Sequence, residues 1–353
     1  EGTPRAPRRR VRASRERRLP LSFAQRRLWF LREVEGDLAA YHIPAVFRID
    51  GDLDGAALAK GLNLLAARHE ALRTGIKEVG GEPYQDIVRD LSVIVPVTDL
   101  SGLAPDATDA EWRRLVALDA RAPYDLARAP LWRVQLVKLG ERDHILILNF
   151  HHIIADGSSL VLFYRELSSL YESCRRKEVE SLPPLPLQYA DYAVWQQQWL
   201  ESPAGAAELD YWKRNLADLP TLASIPTDCV RPLARSFRGA KVVRRLPADL
   251  SASLIEFNRQ QGVTTFMTLF AAFSVLLARI SGRTDIIIGS TVAGRNHAEM
   301  ELVFGFFINA LPLRIELGDN PSVGGLLHRV REVCLNAYSN QDLPFEKLVE
   351  EVN

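Results

Sequence analysis

Apolar residues recur along this chain at two spacings, and the change from one to the other predicts its elements. Leu58, Leu62 and Leu65 repeat every three or four positions, which lines one face of an α-helix. Asp54 stands before that helix as an N-cap. A first helix is predicted in PLSFAQRRLWFL, where Ser22 and Gln25 have the spacing of a capping box. Between the two helices, residues 43–49 read as a strand, and the chain is extended again around 73–77 and over 93–97. Residues 112–121 read as a helix, and 131–139 and 144–150 as two strands joined by a charged turn. ILILNF, in the second of these, is apolar with little alternation, as expected of a strand covered on both faces. Leu160, Phe163, Leu167 and Leu170 then mark a helix over 159–171.

A proline cluster, SLPPLPLQ, follows. It lies between two helical patterns and nothing marks it as exposed, so it reads as a connector rather than an SH3 ligand. The main boundary is placed after it. Helices are expected over 189–200 and 208–219, a strand over 241–246, and helices over 249–261 and 264–281, the last stopped by Gly282. Residues 285–290 read as a strand, and 306–317 are extended. Ser322 caps a helix to about 339, and Pro344 starts a short last one. The division expected is a head over 1–18, an N-terminal lobe over 19–188, and connecting helices with a second lobe over 189–353. The fold class is α/β in two halves.

Composition narrows the function classes. The 353 residues carry 44 basic and 44 acidic side chains, so no overall field favours nucleic acid or an anionic membrane. The charge is unevenly placed, with eight arginines against two glutamates in residues 1–18. That head has no apolar periodicity and no aromatic residue to stack on bases, and it reads as a solvated linker. Cys174, Cys229 and Cys334 are far apart and form no C-x-x-C, which fits a reducing cytoplasm rather than a disulfide framework. Residues 266–277 are the longest apolar stretch, interrupted by Thr268 and Ser274 and too short to span a bilayer.

The chemistry concentrates in NFHHIIADGSSL, residues 149–160. Adjacent residues on a strand face opposite ways, so His151 and His152 cannot easily share a metal ion, and no metal site is expected. HEALR places Arg73 where H-E-x-x-H would need its second histidine. No G-x-S-x-G elbow is present, and Ser158 and Ser159 sit where a helix wants an N-cap. Acid–base work remains. One histidine can anchor the loop inside the protein while the other faces a cleft, and His152, nearer the loop, is the better candidate for the cleft. Asp156 then pairs with the imidazole or ties the loop to an arginine. Gly157 lets the backbone approach a substrate or adopt a conformation closed to other residues. A strand ending in a satisfied core histidine is the competing reading for a bare histidine pair.

The complete H-H-x-x-x-D-G resembles the signature of condensation domains of nonribosomal peptide synthetases. Other stretches match that family's motifs in order: LSFAQRRLWFL, RHEALRT, YADYAVWQQQWL, IIGSTVAGRNHAEMELVFGFFINALPLR and NQDLPFE. Ser158 stands where the family often has Trp, a change expected to alter local packing only. The family normally continues beyond QDLPFEKLVEEVN, so an incomplete C-terminal lobe is expected.

The resemblance implies two lobes similar to chloramphenicol acetyltransferase, arranged in a V with the active site where they meet. It implies amide formation between a donor acyl or peptidyl thioester and the α-amine of an acceptor aminoacyl thioester. Both would arrive on phosphopantetheine arms of peptidyl carrier proteins, with no cofactor bound by the domain itself and with adenylation domains as neighbours. His152 is then the catalytic residue, and the Gly157 N–H a contact to the tetrahedral intermediate. His151 and Asp156 support the site, with Arg73 as the expected partner of Asp156. Asn309, in FFINALPLR, is a further cleft candidate, while His42 and His297 are expected to be ordinary surface or loop residues. An epimerisation domain shares the histidine motif, but FFINALPLR and FAQRRLWFL resemble condensation motifs more closely. A heterocyclising relative would carry D-x-x-x-x-D instead. A non-catalytic recruiting domain would favour a degenerate motif, and here the motif is intact.

Overall fold

The computed structural model describes residues 12–36, 39–178, 182–219, 225–230, 237 and 239–352. The chain forms two compact units, Glu1–Glu201 with Ala293–Ile308, and Ser202–Val292 with Asn309–Asn353.

The first unit contains β1 (Leu19–Pro20), α1 (Phe23–Glu35), β2 (His42–Asp50), α2 (Gly55–Arg68), β3 (Thr74–Val79) and β4 (Glu82–Ile87). It continues with β5 (Val97–Asp99), α3 (Pro105–Arg121), β6 (Trp132–Gly140), β7 (Asp143–His151), α4 (Gly157–Arg176) and α5 (Tyr189–Leu200). The main sheet has the order β2-β7-β6-β5, with β5 parallel to β6 and the other pairs antiparallel. A small sheet, β1-β4-β3, lies apart from it. Alternation along β7 explains its apolar run. Leu146, Leu148 and Phe150 join Leu58, Leu62, Leu160 and Phe163 in the main core. Ile145 and Ile147 face the other way, with Trp112, Leu115 and Val116 of α3. RHEALRT fixes α4 to α2: Arg68 Nε and His69 Nε2 lie 3.1 Å and 2.7 Å from the buried Glu166 carboxylate.

Four expectations are corrected in this unit. Residues 12–18 are largely exposed but are not a free linker, since Arg15 donates to both Glu70 and Asp191, and Arg12 donates to the Leu185 and Pro186 carbonyls. Residues 1–11 of the expected linker lie outside the described residues. The break after 188 moves to Glu201, because Tyr189, Ala190 and Ala193 of α5 are buried within the first unit. The strand expected over 93–97 forms instead at Val97–Asp99, because the Asn63 side chain takes both backbone groups of Val93. Helix α3 starts earlier than its apolar pattern, at Pro105 in the first turn, where proline is favoured.

The second unit contains α6 (Pro203–Asn215), α7 (Ala248–Gln261), α8 (Thr265–Ser281), β8 (Asp285–Val292), β9 (Asn309–Glu316), α9 (Val323–Ser339) and α10 (Phe345–Val352). Strands β8 and β9 pair antiparallel, braced by Arg314 to Asp285, and Arg314 also ties down the end of α6 through the Asn215 and Ala217 carbonyls. Gly282 ends α8 in the left-handed region at φ 68°, as its position predicted. Helix α6 starts earlier than expected, because Ser202 caps it and Pro203 follows. Residues 241–246 do not form a strand: among the described residues nothing pairs with them, and Val242 and Val243 are exposed. No single helix among the described residues is long and apolar enough to cross a membrane.

Candidate active site

The site is built where β7 ends and α4 begins. In the β2–β7 register His151 lies opposite His42, and both rings are buried beside Tyr124. His42 is therefore a core residue, not the surface residue expected. Its Nδ1 lies 3.1 Å from the Ala120 carbonyl. His151 Nδ1 accepts the Ile153 N–H at 3.1 Å, which leaves the ring proton on Nε2 and pins the turn. Burial, with His42, His152 and Arg133 nearby, pushes the His151 pKa down from 6.5 to about 3.

This depression makes folding sensitive to acid. The folded protein keeps His151 neutral, while the unfolded chain takes up a proton below its ordinary pKa. The stability is complete above pH 6.5 and is lost as pH falls toward about 3. The slope from this one group is about 1.4 kcal/mol per pH unit. Urea unfolding between pH 7 and pH 5 should show that decline, and His151→Gln should flatten it. Parallel declines in the two proteins would refute the assignment.

His152 behaves differently. Its backbone N–H donates to Tyr41 O at 2.8 Å, and its ring meets the Phe306 ring edge-on at 4.8 Å. The side chain is half-buried, and its Nδ1 is enclosed with no hydrogen-bond partner among the described residues. Burial lowers its pKa below 6.5, although the His152 and Ala155 carbonyls and Asp156 oppose that. A neutral imidazole at pH 7 is the form that can accept a proton.

Asp156 is fully buried and serves three partners. Oδ1 accepts the Ser159 N–H at 2.8 Å and so caps α4. Oδ2 accepts Arg295 Nη1 at 2.8 Å and the Phe307 N–H at 2.9 Å. Arg295 also reaches Ser159 Oγ at 2.7 Å and stacks 4.3 Å above the Phe307 ring. Two expectations change here. The cap is Asp156, not Ser158 or Ser159. The partner of Asp156 is Arg295 and not Arg73, which ends the turn Glu70–Arg73 and donates to Val88 O at 2.6 Å beside β3 and β4. Arg295 stands in the AGRNH stretch between β8 and β9. Its charge was the visible signal, but nothing in sequence spacing links positions 139 apart.

Gly157 is the first residue of α4 and is exposed. Its φ is outside the left-handed region, and a Cβ added there would meet nothing within 4 Å. Of the two reasons offered for this glycine, a special backbone conformation is removed and close approach from outside remains. Its N–H lies at the positive end of a helix. Asn309 belongs to the second unit and is not free for a cleft. Its amide donates to the Gln341 and Leu343 carbonyls, and its oxygen accepts the Ala310 and Phe345 N–H groups.

The sequence profile described as Condensation domain matches residues 15–353. The chain belongs to the condensation domain family. A linear gramicidin synthase of Brevibacillus parabrevis is 48% identical over 339 residues, which is 96% of this chain and 7% of that protein. This condensation domain therefore spans a small fraction of the curated relatives it matches. The first condensation domain of the calcium-dependent antibiotic synthetase, solved with a substrate analogue, is 25% identical with a TM-score of 0.78, over 96% of this chain and 79% of that one. The X-domain of teicoplanin biosynthesis, solved in complex with OxyB, is 30% identical with a TM-score of 0.88, over 98% and 75%. The fold is the mixed α/β fold of the chloramphenicol acetyltransferase superfamily.

Proposed function

We propose that this condensation domain forms an amide bond between a donor acyl or peptidyl thioester and the α-amine of an acceptor aminoacyl thioester. The observation that carries this reading is the unequal state of the histidine pair. His151 is buried with its Nδ1 committed to the Ile153 N–H, while the His152 ring is half-buried, its Nδ1 without a hydrogen-bond partner among the described residues, in the turn that leads into α4. Both substrates are read as arriving on phosphopantetheine arms of peptidyl carrier proteins, loaded by adenylation domains in the cytoplasm. The amine attacks the thioester carbonyl, the C–N bond forms, and the C–S bond breaks as the tetrahedral intermediate collapses. His152 takes the proton from the attacking amine, and the departing thiolate receives one. Alignment of two tethered reactants supplies much of the rate, because a thioester is already activated.

The Gly157 N–H is read as a contact to the oxyanion. Gly157→Ala should keep the melting temperature, since the new methyl meets open space. Its turnover should fall, by about 10–10²-fold if the methyl shifts the reacting carbonyl by a fraction of an ångström. Unchanged turnover would remove Gly157 from the site.

A recruiting role is the second reading, favoured by the TM-score of 0.88 to an X-domain solved with OxyB. Epimerisation is tested by incubating one carrier-bound L-aminoacyl substrate alone. Appearance of the D form would replace the amide reading. A stable protein partner with no turnover on any tethered pair would support recruitment instead.

A further inference from the structure

Three buried polar side chains lie outside the histidine motif and are not used by the reaction above: Ser22 at 0% exposure, Gln25 at 1% and Tyr189 at 1%. They form one connected chain of hydrogen bonds. Tyr189 OH donates to the Phe306 carbonyl at 2.5 Å. The phenol's single proton is then spent, so the 2.7 Å contact with Ser22 is donated by the Ser22 hydroxyl. Ser22 Oγ also accepts the Gln25 N–H at 3.1 Å, while Gln25 Oε1 accepts the Ser22 N–H at 3.1 Å. Gln25 Nε2 donates to the Ile153 carbonyl at 3.0 Å. The amide has one orientation only, because a flip would set its NH2 against an N–H and its oxygen against a carbonyl.

Both ends of this chain stop beside the same ring. Ile153 follows His152 directly, and Phe306 carries the ring packed against His152 at 4.8 Å. Gly305 allows the second contact to be close, since a Cβ there would lie 1.9 Å from the Tyr189 ring. The capping box of α1 thus holds the turn that presents the imidazole, and the first residue of α5, bonded to that box, holds the Phe306 backbone on the other side of the ring.

We propose that Ser22, Gln25 and Tyr189 are positioning residues that hold the His152 ring from two sides, through the Ile153 carbonyl and through Phe306. The proposal rests on His152 being the working histidine. Tyr189→Phe removes one hydroxyl and leaves the Phe306 carbonyl without its donor. Gln25→Glu keeps the volume and the bond from Ser22 N–H but turns a carboxylate oxygen toward the Ile153 carbonyl. Both side chains are buried away from solvent, so kcat should fall by about 10²-fold for a displacement near 1 Å, with KM for both carriers unchanged.

The deciding readout is NMR of the chain with labelled histidine, in which the His152 imidazole is titrated. In Tyr189→Phe and Gln25→Glu its signal should move and its pKa should rise toward the ordinary value, as loosened packing readmits water. His151 serves as an internal reference. Ile145→Val, six residues before His151 on β7 and in a separate apolar cluster, is the control for lost stability and should leave the His152 signal in place. A His152 signal and pKa unchanged in folded Tyr189→Phe and Gln25→Glu would overturn the proposal. So would an equal change in Ile145→Val. Movement of His152 in a protein that shows no turnover would keep the proposal and sink the amide-forming reading instead.

Discussion

Replacing His152 by alanine should cut amide formation by about 10²–10⁴-fold, the usual contribution of a positioned proton acceptor. Carrier binding and the melting temperature should change little. The second part of this expectation comes from the geometry. His152 Nδ1 has no hydrogen-bond partner among the described residues, and the ring packs edge-on against Phe306. Its loss leaves the Ile153 N–H on His151 and the Ile153 carbonyl on Gln25, so the turn survives. Intact mass spectrometry of the acceptor carrier, with circular dichroism on the same sample, checks both halves. Full turnover in the variant would remove His152 from the reaction.

The second large effect is expected in stability. Asp156→Ala should lower the unfolding free energy by about 3–5 kcal/mol, because it leaves the Arg295 guanidinium enclosed and without its counter-charge. Arg295 exposes 9% of its side chain and Asp156 1%, so water screens the pair poorly. The same change strips the cap from α4 and the acceptor from the Phe307 N–H. Arg295→Met alone should cost less, since the carboxylate retains two backbone donors. The double variant Asp156→Ala/Arg295→Met should cost less than the two single losses together, with a coupling of about 0.5–3 kcal/mol. Urea unfolding of the four proteins measures the cycle. Strict additivity would mean that Arg295 does not stabilise Asp156.

Local signals were legible where a few neighbouring residues decide the outcome. Ser22 with Gln25 did form a capping box, Asp54 did cap α2, and Gly282 did end α8. Unequal burial of His151 and His152 was expected from the opposite pointing of adjacent strand residues; β7 ends at His151, and that ring is buried while the His152 ring, in the turn that follows, is half-buried. What failed depended on distant partners. KVVRRL has the composition of a strand, but a strand also needs a neighbour, and among the described residues it has none. Arg73 was nearest to a motif and so was paired with Asp156. The observed partner, Arg295, belongs to a segment that returns to the first unit after a long excursion through the second. The arginines at 12 and 15 looked like part of a charged tail, because their acceptors lie up to 176 positions away.

The reaction proposed for this chain is transfer of a tethered donor acyl group to a tethered acceptor amine, dependent on His152. Mass spectrometry of both carriers, after mixing the protein with a loaded donor and a loaded acceptor, tests it most directly. The expected result is an acceptor carrier heavier by the donor acyl group, a donor carrier returned to its free thiol, and loss of both changes in His152→Ala. Two carriers that each keep their own acyl group, with the wild-type protein folded and both carriers bound, would contradict it.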